Sequence, residues 1–463
     1  MMDSYSEYRL SGLPWLESIP GHWNVGRAKN MYRKEKRTVR PEDETVTCFR
    51  DGIVTLRKNR RLTGFTESVK EIGYQGIRNG DLVIHVMDAF AGSIGVSDSD
   101  GKSTPVYSVC TAKGDYNNHF YAFLLREVAR TGYIQSLYRG IRERSTNFTF
   151  DIFAAQSLVV PPRTEQDQIV RFLDWKLLET NIFIRQKRRE IVRLTELANT
   201  QIRNVVFGGL QGDAQTKDSG INWVGEIPDH WDVRVLFELA AEQSISNKTV
   251  HNQNLLSLSY GKIVNKDINT MDGLLPASYD TYQIVNGGNV IMRLTDLQND
   301  KRSLRVGIST QTGIITSAYT CLKARSDEIL PHYLYLLLHS YDICKVFYSM
   351  GGGVRQSIGY GEIKRVPLPL PPVEEQQAIV DYCYSLRTDI ERLIAEVKNE
   401  IALITEYRTR MISDVVTGKV DVRGIEVPDL SAEDTIAEEA DDAEMDDEGS
   451  TDEIEEVEEN ADD

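Results

Sequence analysis

The sequence lacks long hydrophobic runs, an export signal and clustered cysteines. Its apolar stretches are short, such as YLYLLL at residues 333–338, and none reaches the roughly 18 apolar residues that cross a membrane. The first ten residues are polar and acidic, unlike the basic and then apolar regions of a signal peptide. The cysteines are scattered and nowhere spaced CxxC, which argues against a disulfide framework or a zinc site: Cys48, Cys110, Cys321, Cys344 and Cys383. We therefore expect a protein of the reducing cytoplasm with no membrane segment.

Motifs for catalysis are also missing. GKS at residues 101–103 lacks the glycine that a phosphate-binding loop requires five residues earlier, where Val96 stands. The two Pro-Pro pairs precede Arg163 and Val373, so neither forms the Asn- or Asp-Pro-Pro-aromatic loop of amino-methylating DNA methyltransferases. GEIK at residues 361–364 has no upstream Pro-Asp pair with which to build a nuclease metal site. Together these absences favour a non-catalytic chain that holds no metal or cofactor.

Acidic residues are unevenly distributed. The net charge is −17, but residues 431–463 contain 18 Asp and Glu and no Lys or Arg, so the other 430 residues carry +1. A block of like charge repels itself and buries little surface, so we expect this segment to be disordered. It either keeps the protein soluble or competes with nucleic acid for a basic surface of the same chain. Deleting it and measuring DNA affinity distinguishes the two roles.

Two copies of one unit make up most of the chain. VPPRTEQDQIV at residues 160–170 recurs as LPPVEEQQAIV at 370–380, and NVVFGGLQ at 204–211 recurs as DVVTGKVD at 414–421. Near the start, seven residues recur 208 positions later: Gly12, Trp15, Ile19, Pro20, His22, Trp23 and Val25 recur as Gly220, Trp223, Ile227, Pro228, His230, Trp231 and Val233. The chain is therefore a tandem duplication of about 210 residues. The repeated motif around each His-Trp pair, residues 19–25 and 227–233, is called here the His-Trp phrase. We interpret it as a packing device and assign its histidines no chemistry.

Each copy ends in a long helical segment that begins at a Pro-Pro pair. Proline disfavours helix at the residue before it but suits a helix start, and both segments end at a glycine, Gly208 or Gly418. Apolar residues follow a heptad pattern for about six heptads, which predicts that the two helices pair as a coiled coil. The residues predicted to pair are Leu173, Ile184, Ile191, Leu194, Ile390, Ile394, Val397, Ile401 and Ile404.

Before each Pro-Pro pair, short β-rich runs alternate with Gly, Asn and Asp turns and with one helix, near 119–130 or 332–348. The predicted fold class is α+β, as two irregular recognition domains and two long helices. The predicted divisions are 1–160 and 220–370 for the two domains, 161–208 and 371–418 for the helices, 209–219 for a linker, 419–430 for a closing segment and 431–463 for the acidic segment. We expect the closing segment to approach the N-terminus, because it stands where a third copy would begin.

Basic and amide side chains are concentrated in loops of both copies. Residues 27–61 contain twelve Lys and Arg against five acids, and each copy has a glycine-containing basic loop, at 139–148 and 351–360. Lys and Arg neutralise phosphate, and Arg, Asn and Gln contact base edges. The predicted DNA-binding residues are Arg57, Lys58, Arg60, Arg61, Arg142, Arg144, Arg293, Gln298, Lys301, Arg302, Arg305, Arg355 and Gln356.

The paired His-Trp openings, Pro-Pro-x-x-Glu-Gln helix starts and Val-Val-x-Gly helix ends resemble the specificity subunit of type I restriction-modification enzymes, over residues 12 to about 425. The resemblance implies two target-recognition domains that each read half of a bipartite site in double-stranded DNA. It also implies antiparallel helices that recruit two methyltransferase subunits, which use S-adenosylmethionine to methylate adenine. Motor or restriction subunits would add ATP- and Mg²⁺-dependent translocation and cleavage. The specificity subunit itself is not an enzyme.

Other interpretations remain open on the sequence. The chain could serve a methylation-only or other defence-related modification system, or be a coiled-coil scaffold that does not bind DNA. It could also be a methyltransferase or nuclease with unfamiliar motifs.

Helices of about 40 residues at ~1.5 Å per residue would hold the two domains roughly 60 Å apart, which predicts an unread spacer between two different half-sites.

Overall fold

The computed structural model describes residues 3–60, 71–137, 147–212, 214–268, 278–295, 297, 303–350 and 357–429. The acidic segment 431–463 lies outside these residues. Among the described residues, the chain divides into a first unit, residues 3–186 with 400–429, and a second unit, residues 187–399. Each unit therefore contains one domain, called here a head, and a part of each long helix. No helix in the described ranges has the length and apolar character needed to cross a membrane.

The first head, residues 3–160, is built from short strands around one central helix. Its largest sheet is antiparallel in the order β4-β11-β8-β9, and the pairs β1-β2, β3-β12, β5-β6 and β7-β10 surround it. Its elements are β1 (Tyr8–Leu13), β2 (Leu16–Pro20), β3 (Asn24–Arg27), α1 (Ala28–Met31), β4 (Tyr32–Lys34), β5 (Val46–Cys48), β6 (Val54–Leu56), β7 (Gln75–Ile77), β8 (Leu82–His85), β9 (Ile94–Val96), β10 (Gly101–Ser103), β11 (Tyr107–Ala112), α2 (Asn118–Arg130), α3 (Tyr133–Ser136), α4 (Phe150–Ala155) and β12 (Ser157–Val160).

The helix α5 (Arg163–Gly208) follows, and then the second head, residues 216–370, repeats the plan of the first. Its sheet has the order β16-β23-β20-β21, with the pairs β13-β14, β15-β24, β17-β18 and β19-β22. Its elements, with the last helix, are β13 (Thr216–Asp218), β14 (Glu226–Pro228), β15 (Asp232–Val235), α6 (Leu236–Leu239), β16 (Ala240–Glu242), β17 (Leu256–Ser259), β18 (Lys262–Asn265), β19 (Gln283–Val285), β20 (Val290–Met292), β21 (Val306–Ile308), β22 (Gly313–Ile315), β23 (Thr320–Ala324), α7 (Pro331–Ile343), α8 (Tyr360–Ile363), β24 (Pro367–Leu370) and α9 (Val373–Val416).

The two heads thus correspond sheet by sheet, and the predicted α+β duplication is confirmed. One prediction needs correction, because residues 216–218 of the predicted linker 209–219 form β13, which pairs with β14. The structure also agrees with the rejection of a phosphate-binding loop, since GKS at 101–103 is a strand.

One inner strand of each head, β8 or β20, carries buried apolar side chains on both faces because both faces of the sheet are covered. Successive side chains of a strand point to opposite faces. Leu82 and Ile84 of β8 pack in the cluster that contains α2, whereas Val83 packs with the small sheets on the other face. In β20, Val290 and Met292 pack with α7. In each head the sheet therefore separates the large cluster that contains α2 or α7 from a smaller cluster on its other face.

The long helices have 46 residues (α5) and 44 residues (α9), and they run antiparallel within each unit. In the first unit, Arg408 Nη1 donates to Asn181 Oδ1 at 2.8 Å. In the second unit, Val206 near the end of α5 shares a buried cluster with Cys383 near the start of α9. The residues predicted to pair are buried (Leu173, Ile184, Ile390, Val397) or partly buried (Ile191, Leu194, Ile394, Ile401, Ile404).

A buried glutamate joins the first His-Trp phrase to the start of α5. Glu165 accepts hydrogen bonds from Trp23 Nε1 at 2.9 Å and Tyr5 Oη at 2.5 Å, and its other oxygen lies 2.8 Å from His22 Nε2. Burial and the Glu165 carboxylate raise the pKa of Tyr5, so the phenol remains a donor. The Trp side chain is fully buried, as expected of a packing device.

The second copy repeats this junction. Glu375 accepts from Trp231 Nε1 at 3.1 Å and lies 2.8 Å from His230 Nε2. The glutamines that follow these glutamates also have matching roles. Gln166 accepts from the backbone N–H of Asn117 before α2, at 2.9 Å, and Gln376 accepts from that of Leu330 before α7, at 2.8 Å. The duplicated phrases are therefore complementary parts of one head-to-helix junction.

The segment after α9 returns to the N-terminal residues, which confirms the expectation drawn from the duplication. The backbone N–H of Asp421 donates to the carbonyl of Asp3 at 2.9 Å. Gln168 on α5 donates from Nε2 to the carbonyls of Val422, at 3.0 Å, and Ile425, at 2.7 Å. This segment thus occupies, in the first unit, the place that a further copy would take.

We predict that Glu165→Gln destabilises the protein more than Glu375→Gln. Glutamine places an amide N–H₂ against existing donors, and loss of charge-assisted hydrogen bonds costs about 1.5–3 kcal/mol at a buried site. The Glu375 side chain is 24% exposed against 3% for Glu165, and its donors in the described ranges are His230 and Trp231 without a tyrosine, so its loss should cost about 1 kcal/mol. Urea unfolding followed by tryptophan fluorescence measures both, with exposed Glu196→Gln as the control. Equal effects at the two junctions would contradict the prediction.

Candidate nucleic-acid interface

Two loops leave each head side by side. We call the connection between β8 and β9, or between β20 and β21, the inner loop, and the basic segment at 139–148 or 351–360 the glycine loop. In the first head the backbone N–H of Phe148, at the end of the glycine loop, donates to the carbonyl of Val86 in the inner loop at 2.9 Å. In the second head Ile358 donates to Leu294 in the same way, at 2.9 Å. The two loops that the sequence singled out in the second copy therefore have adjoining bases.

The inner loops differ in length at equivalent places. The first comprises residues 86–93 and includes a 3₁₀ turn, Ala89–Ala91, whereas the second comprises residues 293–305. The second loop is five residues longer, and it contains five of the seven positions predicted to contact DNA in the second head. The same framework thus presents two different surfaces.

Arg305 does not lie on that surface. Its side chain is fully buried, so the prediction that it contacts DNA is wrong. Its Nη1 donates to the carbonyl of Thr295 at 2.6 Å, and its Nε donates to Tyr348 Oη at 3.0 Å. Its backbone N–H donates to Asp342 on α7 at 2.6 Å. Because Arg305 immediately precedes the buried strand β21, its side chain points into the protein.

Arg305 instead holds the two loops of the second head together. Thr295 belongs to the inner loop, and Tyr348 lies in the 3₁₀ turn Val346–Ser349 just before the glycine loop. The Tyr348 ring also has Lys345 Nζ 4.6 Å from its centroid. Sequence patterns gave no indication of Tyr348 or Asp342, because neither belongs to a motif. Their role depends on contacts between distant parts of the chain.

In the first head, the predicted basic residues Arg57, Lys58 and Arg60 follow the β5-β6 hairpin. Lys58 Nζ lies 2.5 Å from Glu44, and Arg60 Nη1 lies 2.5 Å from Asp51. Surface ion pairs of this kind contribute about 0–1 kcal/mol, so phosphate could replace the carboxylates at small cost.

A further arginine of the same hairpin lies beside the inner loop. Arg50, in the turn between β5 and β6, has its Nη2 3.4 Å from Asp88 of the inner loop, and its side chain is 69% exposed. It is among the basic residues that the sequence groups at 27–61, but only the fold shows its place next to the inner loop.

The remaining predicted DNA-binding residues are placed as follows. Arg293 is partly buried at the start of the second inner loop. The others lie outside the described residues: Arg61, Arg142, Arg144, Gln298, Lys301, Arg302, Arg355 and Gln356. Among the residues that the structure does describe, no group of three or more His, Cys, Asp and Glu could hold a metal ion.

Comparison with protein families matches residues 230–403 to the family described as the type I restriction modification DNA specificity domain. These residues begin at His230 of the second His-Trp phrase and extend into α9, so the match includes the second head, its junction and much of the helix. The first head has the same strand order and junction, so the fold of the matched region occurs twice in the chain.

Individual proteins resemble larger parts of the chain. A curated protein of Methanocaldococcus jannaschii, named type I restriction enzyme MjaX specificity subunit, is 24% identical over 269 residues, which are 57% of this chain. The aligned part spans 59% of that relative's length. A solved chain from work on complex assembly and conformational transition of the type I R-M system covers 87% of this chain and 99% of its own length, at 14% identity and a TM-score of 0.62. At that identity the likeness concerns the fold.

We predict that Arg305→Gln destabilises the second head by about 1–3 kcal/mol, because it leaves the buried partners of the guanidinium, Tyr348 and the carbonyl of Thr295, without their donor. Lys58→Gln, which removes a cation whose side chain is 58% exposed, should cost about 0–1 kcal/mol. Thermal unfolding of the two variants measures the difference. A mild effect of Arg305→Gln would show that the arginine does not hold the loops.

Proposed function

We propose that the chain is the non-catalytic DNA sequence-specificity subunit of a type I restriction-modification complex. The observation that supports this best is the doubled specificity-domain fold, in which equivalent inner loops differ in length and sequence. Two heads with one framework and different loops suit a bipartite target whose two halves differ. The subunit would contribute recognition, and its partners would contribute chemistry.

The recognition surface of each head would be formed by the inner loop and the glycine loop. The exposed cation Lys58 would neutralise phosphate and fix the position of the head on the duplex, and Arg50, beside the first inner loop, would read a base edge. Arg and Gln side chains of the loops would read base edges in the major groove. In the second head, Arg305 would act by positioning these loops.

Paired apolar side chains on the long helices support recruitment of two copies of a partner. In the first unit Phe183 and Tyr407 are 38% and 44% exposed, and in the second unit Leu393 and Leu197 are 40% and 48% exposed. Phe183 corresponds to Leu393, and Leu197 to Tyr407, at the repeat offset of 210 residues. The duplication thus repeats an exposed apolar pair along with the core.

Each pair lies at one level of the helices within its unit. Phe183 and Tyr407 are both within one turn of the Asn181–Arg408 hydrogen bond. Large apolar side chains that stay exposed on a helix commonly mark a contact with another protein. We propose that each pair docks one methyltransferase subunit. S-adenosylmethionine would be held by these subunits, and ATP and Mg²⁺ by motor or restriction subunits, in the cytoplasm.

DNA recognition is tested by measuring binding of the assembled methyltransferase to duplexes altered in one half-site at a time. We predict that Arg50→Gln weakens discrimination only in the half-site read by the first head, and Arg302→Gln only in the other. Each change should cost about 1–3 kcal/mol at the affected half-site. Lys323→Gln removes an exposed cation from a strand of the second head and should alter neither. If all three variants weakened every duplex equally, the loops would not be the reading surface. A methylation-only system would bind and methylate in the same way without cleaving.

Partner docking is tested by native mass spectrometry of the chain with its methyltransferase. We predict that Tyr407→Asp lowers the number of bound methyltransferases from two to one, that Leu393→Asp does the same, and that the double variant binds none. A charge at the centre of an apolar contact is costly because it loses water without gaining a partner. Exposed Glu396→Ala is the control and should bind two. Two methyltransferases on the double variant would exclude this docking site, and a chain that bound its partner but no DNA would favour the scaffold interpretation.

A further inference from the structure

A small cleft in the first unit belongs neither to the loops nor to the exposed apolar pairs. It lies between the turn of the β5-β6 hairpin, the strand β9 and the helix α2, and its volume is about 200 Å³. The residues that matter for its chemistry are Gly52, Ile53, Asp98, His119, Phe123 and Arg126. Its walls are mostly apolar, and one cation lies within it.

That cation, Arg126, is unusual because it is partly buried without a counter-charge. Within the described ranges no carboxylate lies within 4.0 Å of its guanidinium and no acceptor within hydrogen-bonding distance. The negative charge of Asp51 acts on Arg126 from a distance, but this carboxylate is already paired with Arg60 at 2.5 Å. Burial lowers the pKa of Arg126. Buried cations are normally paired, since desolvation is costly.

The second head shows that the fold does not require a cation here. His339 is the ninth residue of α7, as Arg126 is the ninth residue of α2, and both pack against a hairpin glycine. A Cβ on Gly52 would lie 2.6 Å from Arg126 Cζ, and a Cβ on Gly261 would lie 3.4 Å from His339 Cε1. Burial lowers the pKa of His339 to about 4, so this side chain is neutral. A neutral group therefore suffices at this position.

We propose that the Arg126 cleft binds a carboxylate side chain of the chain's own acidic segment, residues 431–463. The cleft is smaller than the 300–1,000 Å³ of typical small-molecule pockets and suits a single side chain. Ile53 and Phe123 would cover the methylene groups of a glutamate while its carboxylate meets the guanidinium. The segment supplies 18 carboxylates and no cation that would compete for them.

The acidic segment is attached to the folded chain at a point from which it could reach the cleft. On α2, Glu127 accepts from Ser413 Oγ of α9 at 2.7 Å, so the helix that carries Arg126 contacts the end of α9. The chain then runs past Asp3 and Gln168, and Asp429 is the last described residue before the acidic segment. Its 33 residues could extend over at most about 110 Å. A domain of this size has a radius of gyration of roughly 17 Å. Tethering gives millimolar effective concentrations, so one charge-assisted contact is sufficient.

Zero-length crosslinking of the full chain tests the contact without DNA or partner subunits, so its result does not depend on the proposed function. In the Arg126→Lys variant, carbodiimide should join the introduced amine to an Asp or Glu of residues 431–463, and peptide mass spectrometry would identify the link. Arg130→Lys is the matched control, one turn further along α2, where the native side chain is 53% exposed and paired with Glu127. We expect at least fivefold more crosslink to the acidic segment at position 126. Equal yields, or none at 126, would overturn the proposal.

Hydrogen exchange provides a second measurement on the native side chains. A protease site inserted after Asp429 allows the acidic segment to be removed from the folded full chain. Its removal should speed exchange of the hairpin-turn amides of Gly52 and Ile53, which line the cleft. The equivalent turn of the second head, at Tyr260 and Gly261, should not change. Unchanged exchange at Gly52 and Ile53 would contradict the proposal even if the crosslink formed.

Discussion

The structure depends on one carboxylate at the start of each long helix. Glu165 lies in the first turn of α5, where the helix dipole favours a negative charge, and it accepts hydrogen bonds from Tyr5 and Trp23 of the head. A buried carboxylate is stable only when its oxygens are well paired, so this contact constrains the geometry of head and helix together. The same constraint, through Glu375, recurs in the second unit. Its repetition explains why the His-Trp and Glu-Gln phrases are the parts of the duplication that remained recognisable.

Two features outside the junction follow from the duplication. The end of each long helix passes beside a junction, where Gly209 and Gly418 adopt positive φ and lie against the tryptophans. A Cβ at Gly418 would come 2.5 Å from Pro20, so the close approach itself requires glycine. The segment after Gly418 then packs against the N-terminal residues and the start of α5 in the first unit. The residues that follow α5 and α9 thus pack against the two junctions, one in each unit.

Regular periodicity allowed the sequence to predict the helices, the duplicated heads and the buried seam residues such as Val397. The relevant signals were local: a Pro-Pro start, a heptad pattern and repeated phrases. The recognition surface could not be predicted as well, because exposure of a loop cation depends on contacts far away in the chain. The sequence around Arg305 is as basic and polar as that around Arg302, so the sequence does not distinguish the two arginines. Arg305 lies one residue before β21, and its side chain is directed inward. Arg50 lies beside the inner loop only because the β5-β6 hairpin packs there.

The contrast between constant junction and variable loop also explains how one framework can carry different specificities. A loop attached at two fixed points can change length at modest entropic cost, since closing a longer loop adds only about 0.6 kcal/mol per doubling. The backbone hydrogen bonds at Val86 and Leu294 keep the loop bases in place in both heads. In the second head, the buried contact between Arg305 and Tyr348 restrains the longer inner loop. The shorter loop of the first head has Ser93 at the position equivalent to Arg305. Because the junction lies away from these loop bases in the sequence, divergence in the loops leaves the attachment of head to helix unchanged.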